Sequence, residues 1–271
     1  MTVHVACAAD RAWAPHSAAT MHSVLAHAGG EPVEFHYLHG PDFPRSLRRR
    51  LRRMVGQADA AIEFHEISER MTSGLPVSAP MPVATWYRLF VPSLVGAERL
   101  LFLDADVVVL EDVRPLAHID LGDAWVAGVE DLFALRMGYR KLLGIEGRQG
   151  YFNAGVLVLD LRALRDGGMD SALITEARRL APWLFYRDQD ALNVTLGKRR
   201  LPLHPRWNLT WGLSTSRFAG LVFDEATLRE ARERPAIRHF TGTAKPWSDD
   251  ERPADAGVYW EHRAATPFAR A

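Results

Sequence analysis

LFLDADVVVLEDV, residues 101–113, decides how the rest of the chain is read. Leu101 to Leu103 run into Asp104-Ala105-Asp106, and Val107 to Leu110 follow. A short apolar run of this kind becomes a strand buried in a sheet. An unpaired buried carboxylate is costly, so charges in such a place are paired or bound to a cation. Either the strand ends there and the two aspartates face a solvated cleft, or the pair holds a metal. On a strand, residues i and i+2 share a face. Two carboxylates so placed can grip a hard cation such as Mg2+ or Mn2+, with phosphate oxygens completing the shell. The plain alternative is a solvated or arginine-paired doublet at a strand end.

Upstream, apolar strands alternate with helices. VHVACAA (3–9), VEFHYLH (33–39) and AIEFHEI (61–67) read as strands. HSAATMHSVLAHA (16–28) reads as a helix stopped by Gly29-Gly30. Residues 45–57 form a basic helix, and WYRLFVPSL (86–94) has apolar residues at helical spacing. RLLFLDAD is the fourth strand and AWVAGVE (124–130) the fifth. This order predicts an α/β fold with a mainly parallel central sheet and helices on both faces. Ligands of such sheets bind beyond the C-terminal strand ends. Asp10 and the Asp104/Asp106 pair fall at such ends, so they could share one crevice. Downstream, YFNAGVLVLDL (151–161) predicts a long strand, and a helix is expected over 170–181. A shorter helix is expected after DQDALNV, and loops fill 202–213. IRHF (237–240) is a last strand. No internal repeat or low-complexity linker divides the chain, so a single domain over 1–271 is expected.

Composition excludes several functions. The 271 residues carry 33 Lys+Arg and 33 Asp+Glu, a formal net charge of zero, unlike a general nucleic-acid binder. RSLRRRLRRM (45–54) is the local exception. It reads as a solvated helix face or as a surface for anionic lipid. The single cysteine, Cys7, sits in an apolar strand and is expected in the core. No apolar leader follows Met1, and no run approaches the ~20 residues of a spanning helix. The expectation is a cytoplasmic protein, with peripheral contact at the inner membrane face left open.

Further stretches carry chemistry. In HFTGTAKPW (239–247), His239 can ligate a transition metal. Gly242 permits close backbone approach to a phosphate, and Lys245 is a point charge suited to a diphosphate. A core histidine and an ordinary turn would also explain the stretch. In YRDQDALNV (186–194), Asp188, Gln189 and Asp190 stand where a helix begins. One of them could be an N-cap, which leaves a carboxylate and an amide for sugar hydroxyls. Asn153, in YFNAG, either binds a hydroxyl or satisfies a turn.

Six stretches in order carry a family resemblance: ACAAD (6–10), TWYRL (85–89), LFLDADVVV (101–109), YFNAGVLVLDL (151–161), RDQDALN (187–193) and HFTGTAKPW (239–247). Together they resemble the family 8 retaining glycosyltransferases, among them glycogenin and the bacterial lipopolysaccharide α-galactosyltransferases and α-glucosyltransferases, with the bacterial galactosyltransferases most alike. The resemblance implies a GT-A fold, a Rossmann-like nucleotide-diphospho-sugar transferase. Residues 1–130 would form its nucleotide-binding half, 131–250 its sugar and acceptor half, and 251–271 a C-terminal segment. It implies a UDP-hexose donor, Mn2+ (or Mg2+) on Asp104, Asp106 and His239, and a carbohydrate or glycolipid acceptor. It puts Ala8 and Asp10 near the uracil, and Arg88 and Ala105 near the donor. Gly242 and Lys245 would contact the diphosphate, and Asn153, Asp188 and Gln189 would line the donor sugar. Catalytic roles fall to Gln189, Asp188 and Lys245, and Asp131 in GVEDLF would stand near the acceptor. One departure is notable: after Asp10 the family often has a polar residue and a tyrosine, where this chain has Ala12 and Trp13.

Two other readings remain. A haloacid-dehalogenase-type phosphatase would use Asp104 as nucleophile and Asp106 as general acid, with Lys245 and Asp249-Asp250 as later motifs. That motif usually sits on the first strand rather than the fourth. A catalytically inactive sugar-nucleotide binder would be expected to have lost metal ligands, and all three candidates are present.

Overall fold

The computed structural model describes residues 2–77, 82–132, 139–145, 149–181, 184–249 and 251–269. Asp250 of the phosphatase reading lies outside them. The strands are β1 (Val3–Ala8), β2 (Val33–His39), β3 (Ala61–Glu66), β4 (Arg99–Leu103), β5 (Val107–Val109), β6 (Val126–Glu130), β7 (Phe152–Asp160), β8 (Arg200–Pro202) and β9 (Ile237–His239). Seven of them form one sheet in the order β3-β2-β1-β4-β7-β6-β8, and β5 pairs with β9 apart from it. Within the large sheet β7 alone runs against the others, antiparallel to both β4 and β6.

Helices of six or more residues are numbered α1 (Ala14–Ala26), α2 (Arg45–Gly56), α3 (Leu161–Asp166), α4 (Met169–Leu180), α5 (Asp188–Leu196), α6 (Glu225–Glu233) and α7 (Gly257–Ala264). Alternation along β1 and β2 explains the layering. Val3, Val5 and Cys7, with Val33, Phe35 and Tyr37, face a core shared with α1, α2 and α6. Ala6 and Leu38 face a second core built from α3, α4, α5 and the Trp86–Val91 stretch. Helices therefore cover both faces, as the β-α alternation requires. Cys7 is buried as expected, and burial pushes its thiol well above the ordinary range.

Several elements differ from the sequence reading. Asp104–Asp106 is a turn between β4 and β5 rather than part of one strand. The 86–94 segment is a 3-10 helix, Val83–Phe90, followed by one α-turn, Val91–Leu94. The helix placed after DQDALNV contains it, and its N-cap is Arg187 (φ 53°), not an aspartate. A non-glycine residue at positive φ is strained, by ~1–3 kcal/mol. The short strand β8 opens the stretch read as loop. The closing helix, α7, packs on α1 through a Tyr259–His16 hydrogen bond (2.6 Å) and a His262–His22 contact (3.0 Å). Among the described residues no helix is long and apolar enough to cross a membrane.

The second face of β1–β3 is not wholly apolar. His4, Glu34, His36, Glu63 and His65 line its outer part, through the registers His4↔Glu34, His36↔Glu63 and Leu38↔His65. Burial holds His36 down to about 4 and lowers His65 as well.

Candidate active site

Strand direction assembles the site. The C-terminal ends of β1, β4 and β6 lie on one edge, and because β7 is reversed its N-terminal end joins them: Val156 pairs with Leu103 and Phe152 with Glu130. Asp10, Asp104, Asp106, Asp131 and Asn153 thus come to one edge of the sheet from four strands. The β5–β9 pairing sets Val107 opposite His239, which brings the imidazole beside the aspartate turn.

One ligand atom each from Asp104, Asp106 and His239 lies within 4.8 Å of the others. His239 Nε2 is 3.2 Å from Asp106 Oδ1 and 3.9 Å from Asp104 Oδ2. The remaining oxygens are engaged: Arg88 Nη2 donates to Asp104 Oδ1 (2.7 Å), and Lys245 Nζ to Asp106 Oδ2 (2.5 Å). On the far side His239 Nδ1–H donates to Asn208 Oδ1 (2.9 Å), which leaves Nε2 as the nitrogen turned to the carboxylates and available to a cation. Burial raises the Asp106 carboxyl, but Lys245 and His239 outweigh it and hold the group well below the usual range. Two carboxylates and a neutral imidazole with its outer nitrogen fixed make a fitting donor set for a divalent cation. Gly155 fits the same purpose. A Cβ there would stand 2.1 Å from His239 Cε1 and 2.7 Å from Asp104 Oδ2.

A polar network continues from His239 along the same edge of the sheet. Asn208 Nδ2 donates to Asn153 Oδ1 (2.9 Å), and Asn153 Nδ2 donates to Asp131 Oδ2 (3.0 Å) and Gln189 Oε1 (3.2 Å). Gln189 Oε1 also accepts from Ala154 N (3.0 Å), while its Nε2 donates to Asp131 Oδ2 (3.2 Å) and Tyr151 Oη (3.3 Å). Asp190, a candidate sugar ligand, is instead held by Tyr139 and Tyr151 hydroxyls, each at 2.6 Å. Asp188 is buried with an oxygen 2.6 Å from Arg88 Nε, an ion pair without hydrogen-bond alignment. Burial pushes its carboxyl up to about 7 against the pull of Arg88.

On the opposite wall Ala8 ends β1, and Asp10 Oδ1 accepts from Ala12 N (2.9 Å) and Trp13 N (3.0 Å), tying the turn into α1. Trp13 meets Trp247 edge-on at 5.4 Å, and Lys245 Nζ lies 5.8 Å from the Trp13 ring. The residue that departs from the family pattern is therefore packed onto the lysine loop. Gly242 holds φ +82°, a conformation other residues rarely adopt. Asp249 is solvent-exposed and salt-bridged at 3.8 Å to Arg252.

The structure thus gathers Asp104, Ala105, Asp106, Arg88, Asn153, Asp188, Gln189, Asp131, His239 and Lys245, with Ala8, Asp10 and Gly242 around the same crevice. Asn208 and Tyr151 were not foreseen. Their only local signal is a polar atom inside an apolar stretch, as in RWNLTW.

The sequence profile of glycosyl transferase family 8 matches residues 4–251. General stress protein A of Bacillus subtilis is 28% identical over 273 residues, covering 98% of this chain and 94% of that protein. The lipopolysaccharide 1,2-glucosyltransferase of Escherichia coli K12 is 29% identical over 213 residues, 73% of this chain and 59% of the relative, so the match leaves much of that enzyme uncovered. The galactosyltransferase LgtC, solved with donor and acceptor sugar analogs, superposes with a TM-score of 0.83 at 25% identity, covering 98% of this chain and 96% of that one. These matches overturn the phosphatase reading.

Proposed function

Since the chain belongs to glycosyl transferase family 8, we propose that it moves a hexose, galactose or glucose, from a UDP-sugar to an acceptor hydroxyl with retention of configuration, using Mn2+. The acceptor is a bacterial glycan or glycolipid, a reading supported by the lipopolysaccharide glucosyltransferase and LgtC among its relatives. One domain carries both halves, residues 1–130 for the nucleotide and 131–250 for sugar and acceptor. The enzyme works in the cytoplasm. The exposed arginines of α2, Arg45, Arg49, Arg50, Arg52 and Arg53, suit contact with an anionic inner leaflet.

The observation that carries the reading is the convergence of Asp104, Asp106 and His239 beside the hydrogen-bonded polar groups of Asn153, Gln189 and Asp131. Those three residues would hold the cation, which supplies positive charge to the departing diphosphate. Lys245, released from Asp106 towards a phosphate, adds charge at the same place as the bond to the sugar breaks. The open backbone at Gly242 lets that loop approach the phosphates, while Ala8 and Asp10 border the base. Asn153, Asp188 and Gln189 orient the donor sugar, and Asp131 stands next to them for the acceptor. Gln189 accepts two hydrogen bonds and donates two, and an amide so held is a poor nucleophile. Asp188 is tied to Arg88. Both facts favour attack on the face from which the diphosphate leaves, with a phosphate oxygen taking the acceptor's proton. A glycosyl adduct trapped on Asp188 or Asp190 and seen by intact mass would refute that route.

The test is release of UDP from a panel of UDP-sugars, with Mn2+ and with EDTA. UDP released from one sugar, and only with the metal, is the expected result. Phosphate released from simple esters with no UDP from any sugar would overturn it.

A further inference from the structure

The polar row on the outer second face of β1–β3 contains a set of donors that the transferase site does not use. His36 Nδ1 and His65 Nε2 are 3.1 Å apart. Glu63 Oε2 lies 3.5 Å from the first and 3.6 Å from the second. A chain of neutral imidazoles would account for the His36–His65 contact. It does not account for the carboxylate, which is too far from either nitrogen for a good hydrogen bond yet sits symmetrically between them, although its side chain is 58% exposed and free to turn to water. A shared ion accounts for the carboxylate as well as the imidazoles. Bonds of ~2.0–2.2 Å in a tetrahedral shell set ligand atoms ~3.3–3.6 Å apart, a spacing that the two carboxylate separations meet and the 3.1 Å between the imidazoles approaches.

We propose that His36 Nδ1, His65 Nε2 and one Glu63 oxygen form a second metal site, for Zn2+ or a chemically similar divalent transition metal, that ties edge strand β3 to β2. Two imidazoles and a single carboxylate favour Zn2+ over Mn2+, the reverse of the balance at Asp104, Asp106 and His239. The fourth position faces solvent past Glu63. With its Nδ1 lone pair given to the metal, His36 carries its proton on Nε2 and donates it to His4 Nδ1, 3.2 Å away. His4 is therefore the outer partner that fixes the tautomer. A second grouping, His4 with Glu34 (3.5 Å) and His36 Nε2, draws on the same neutral imidazole. One neutral ring lends one lone pair, so the two groupings exclude each other, and the one with both buried histidines prevails. β3 lies at the sheet edge, paired on one side only, and the chain's single cysteine cannot form an internal staple, so a metal bridge between β2 and β3 would add a tie to that edge strand.

The test titrates Zn2+ into chelator-stripped full-length protein saturated with Mn2+, by calorimetry. It is repeated in Asp106→Asn, which disables the other site. The expected result is one Zn2+ per chain in both, with a raised unfolding temperature. Glu63→Gln and His65→Gln should weaken binding by more than the ~10–100-fold that outer partners contribute, and His4→Phe, which keeps the ring stack, by about that factor. Zinc binding equal in wild type and Glu63→Gln, or absent in Asp106→Asn, would overturn the site. If His65→Gln does not fold, X-ray absorption at the zinc edge of the wild type decides: two imidazoles in the shell support the assignment, and one or none refutes it.

Discussion

Replacing Gly155 with alanine should disable the transferase by way of the cation site, although residue 155 contributes no functional group. The added methyl would lie 2.1 Å from His239 Cε1 and 2.7 Å from Asp104 Oδ2. To reach ordinary contact the imidazole must retreat by about 1.3 Å, from 2.1 to 3.4 Å. It has little room: His239 is buried, its Nδ1 is bonded to Asn208, and its strand is fixed against β5. Overpacking of this kind costs ~1–3 kcal/mol of stability, and a ~1 Å misplacement at a reacting centre can cost ~10²-fold in rate. Mn2+ affinity read by electron paramagnetic resonance, UDP release and a urea melt would be compared with wild type. The expected variant folds, with a modestly lower midpoint, and loses ~10²-fold or more in UDP release with weakened Mn2+ binding. A variant that is destabilised yet binds Mn2+ and turns over like wild type would show that the glycine serves strand packing alone.

Asp106→Asn should abolish metal-dependent UDP release while leaving the protein folded, with a lowered melting temperature because the buried pair with Lys245 is lost; full activity with Mn2+ present would remove Asp106 from the ligand set. Lys245→Ala should lower kcat by ~10²-fold with a smaller change in KM, because diphosphate charge grows in the transition state; a pure KM effect would contradict that role. Asn208→Leu, at a fully buried position, should weaken Mn2+ binding by ~10–100-fold by freeing the His239 tautomer, and unchanged affinity would refute it. Metal-free protein should lose stability as pH falls from ~6.5 towards 4. Burial holds His16, His36 and His262 down to about 4, so between those values the unfolded chain binds protons that the folded chain excludes. A urea midpoint that is flat or rising between pH 7 and 5 would overturn that account.

The layering and the Asp104-x-Asp106 doublet were legible because they rest on local patterns: period-2 apolar alternation in VHVACAA and VEFHYLH, and D-x-D after an apolar run. The direction of β7 was not, since an apolar nonapeptide reads the same whichever way it enters a sheet. Yet that reversal is what brings Asn153 and Gly155 to the ligand edge. Asp104 and Asp106 were expected on one face of a strand and are found on a turn. Convergence comes instead from the β5–β9 register, which pairs residues 132 positions apart (Val107 and His239) and leaves no local trace. The aspartate expected as N-cap of α5 was misjudged for a similar reason: Arg88, a hundred residues upstream, claims Asp188. AIEFHEI was read correctly as a strand, but which of its residues oppose which on β2 depends on register, so the His36–His65–Glu63 grouping appears only once the sheet is assembled.

Buried amides explain how the two ends of the crevice are held together. From His239 the hydrogen bonds run through Asn208 and Asn153 to Gln189 and Asp131 without a gap, and Asn208 is fully buried. An unsatisfied amide there would cost ~1–3 kcal/mol, so the amides are tolerable only while every neighbour keeps its orientation. Such a network is stiff, and the His239 imidazole at one end and the Gln189 amide at the other share one arrangement. It follows that the proposed sugar-binding and cation-binding residues are not independent modules. A substitution at Asn153 should disturb metal binding, and one at His239 should disturb the handling of the donor sugar, because each removes a partner from the same chain of bonds.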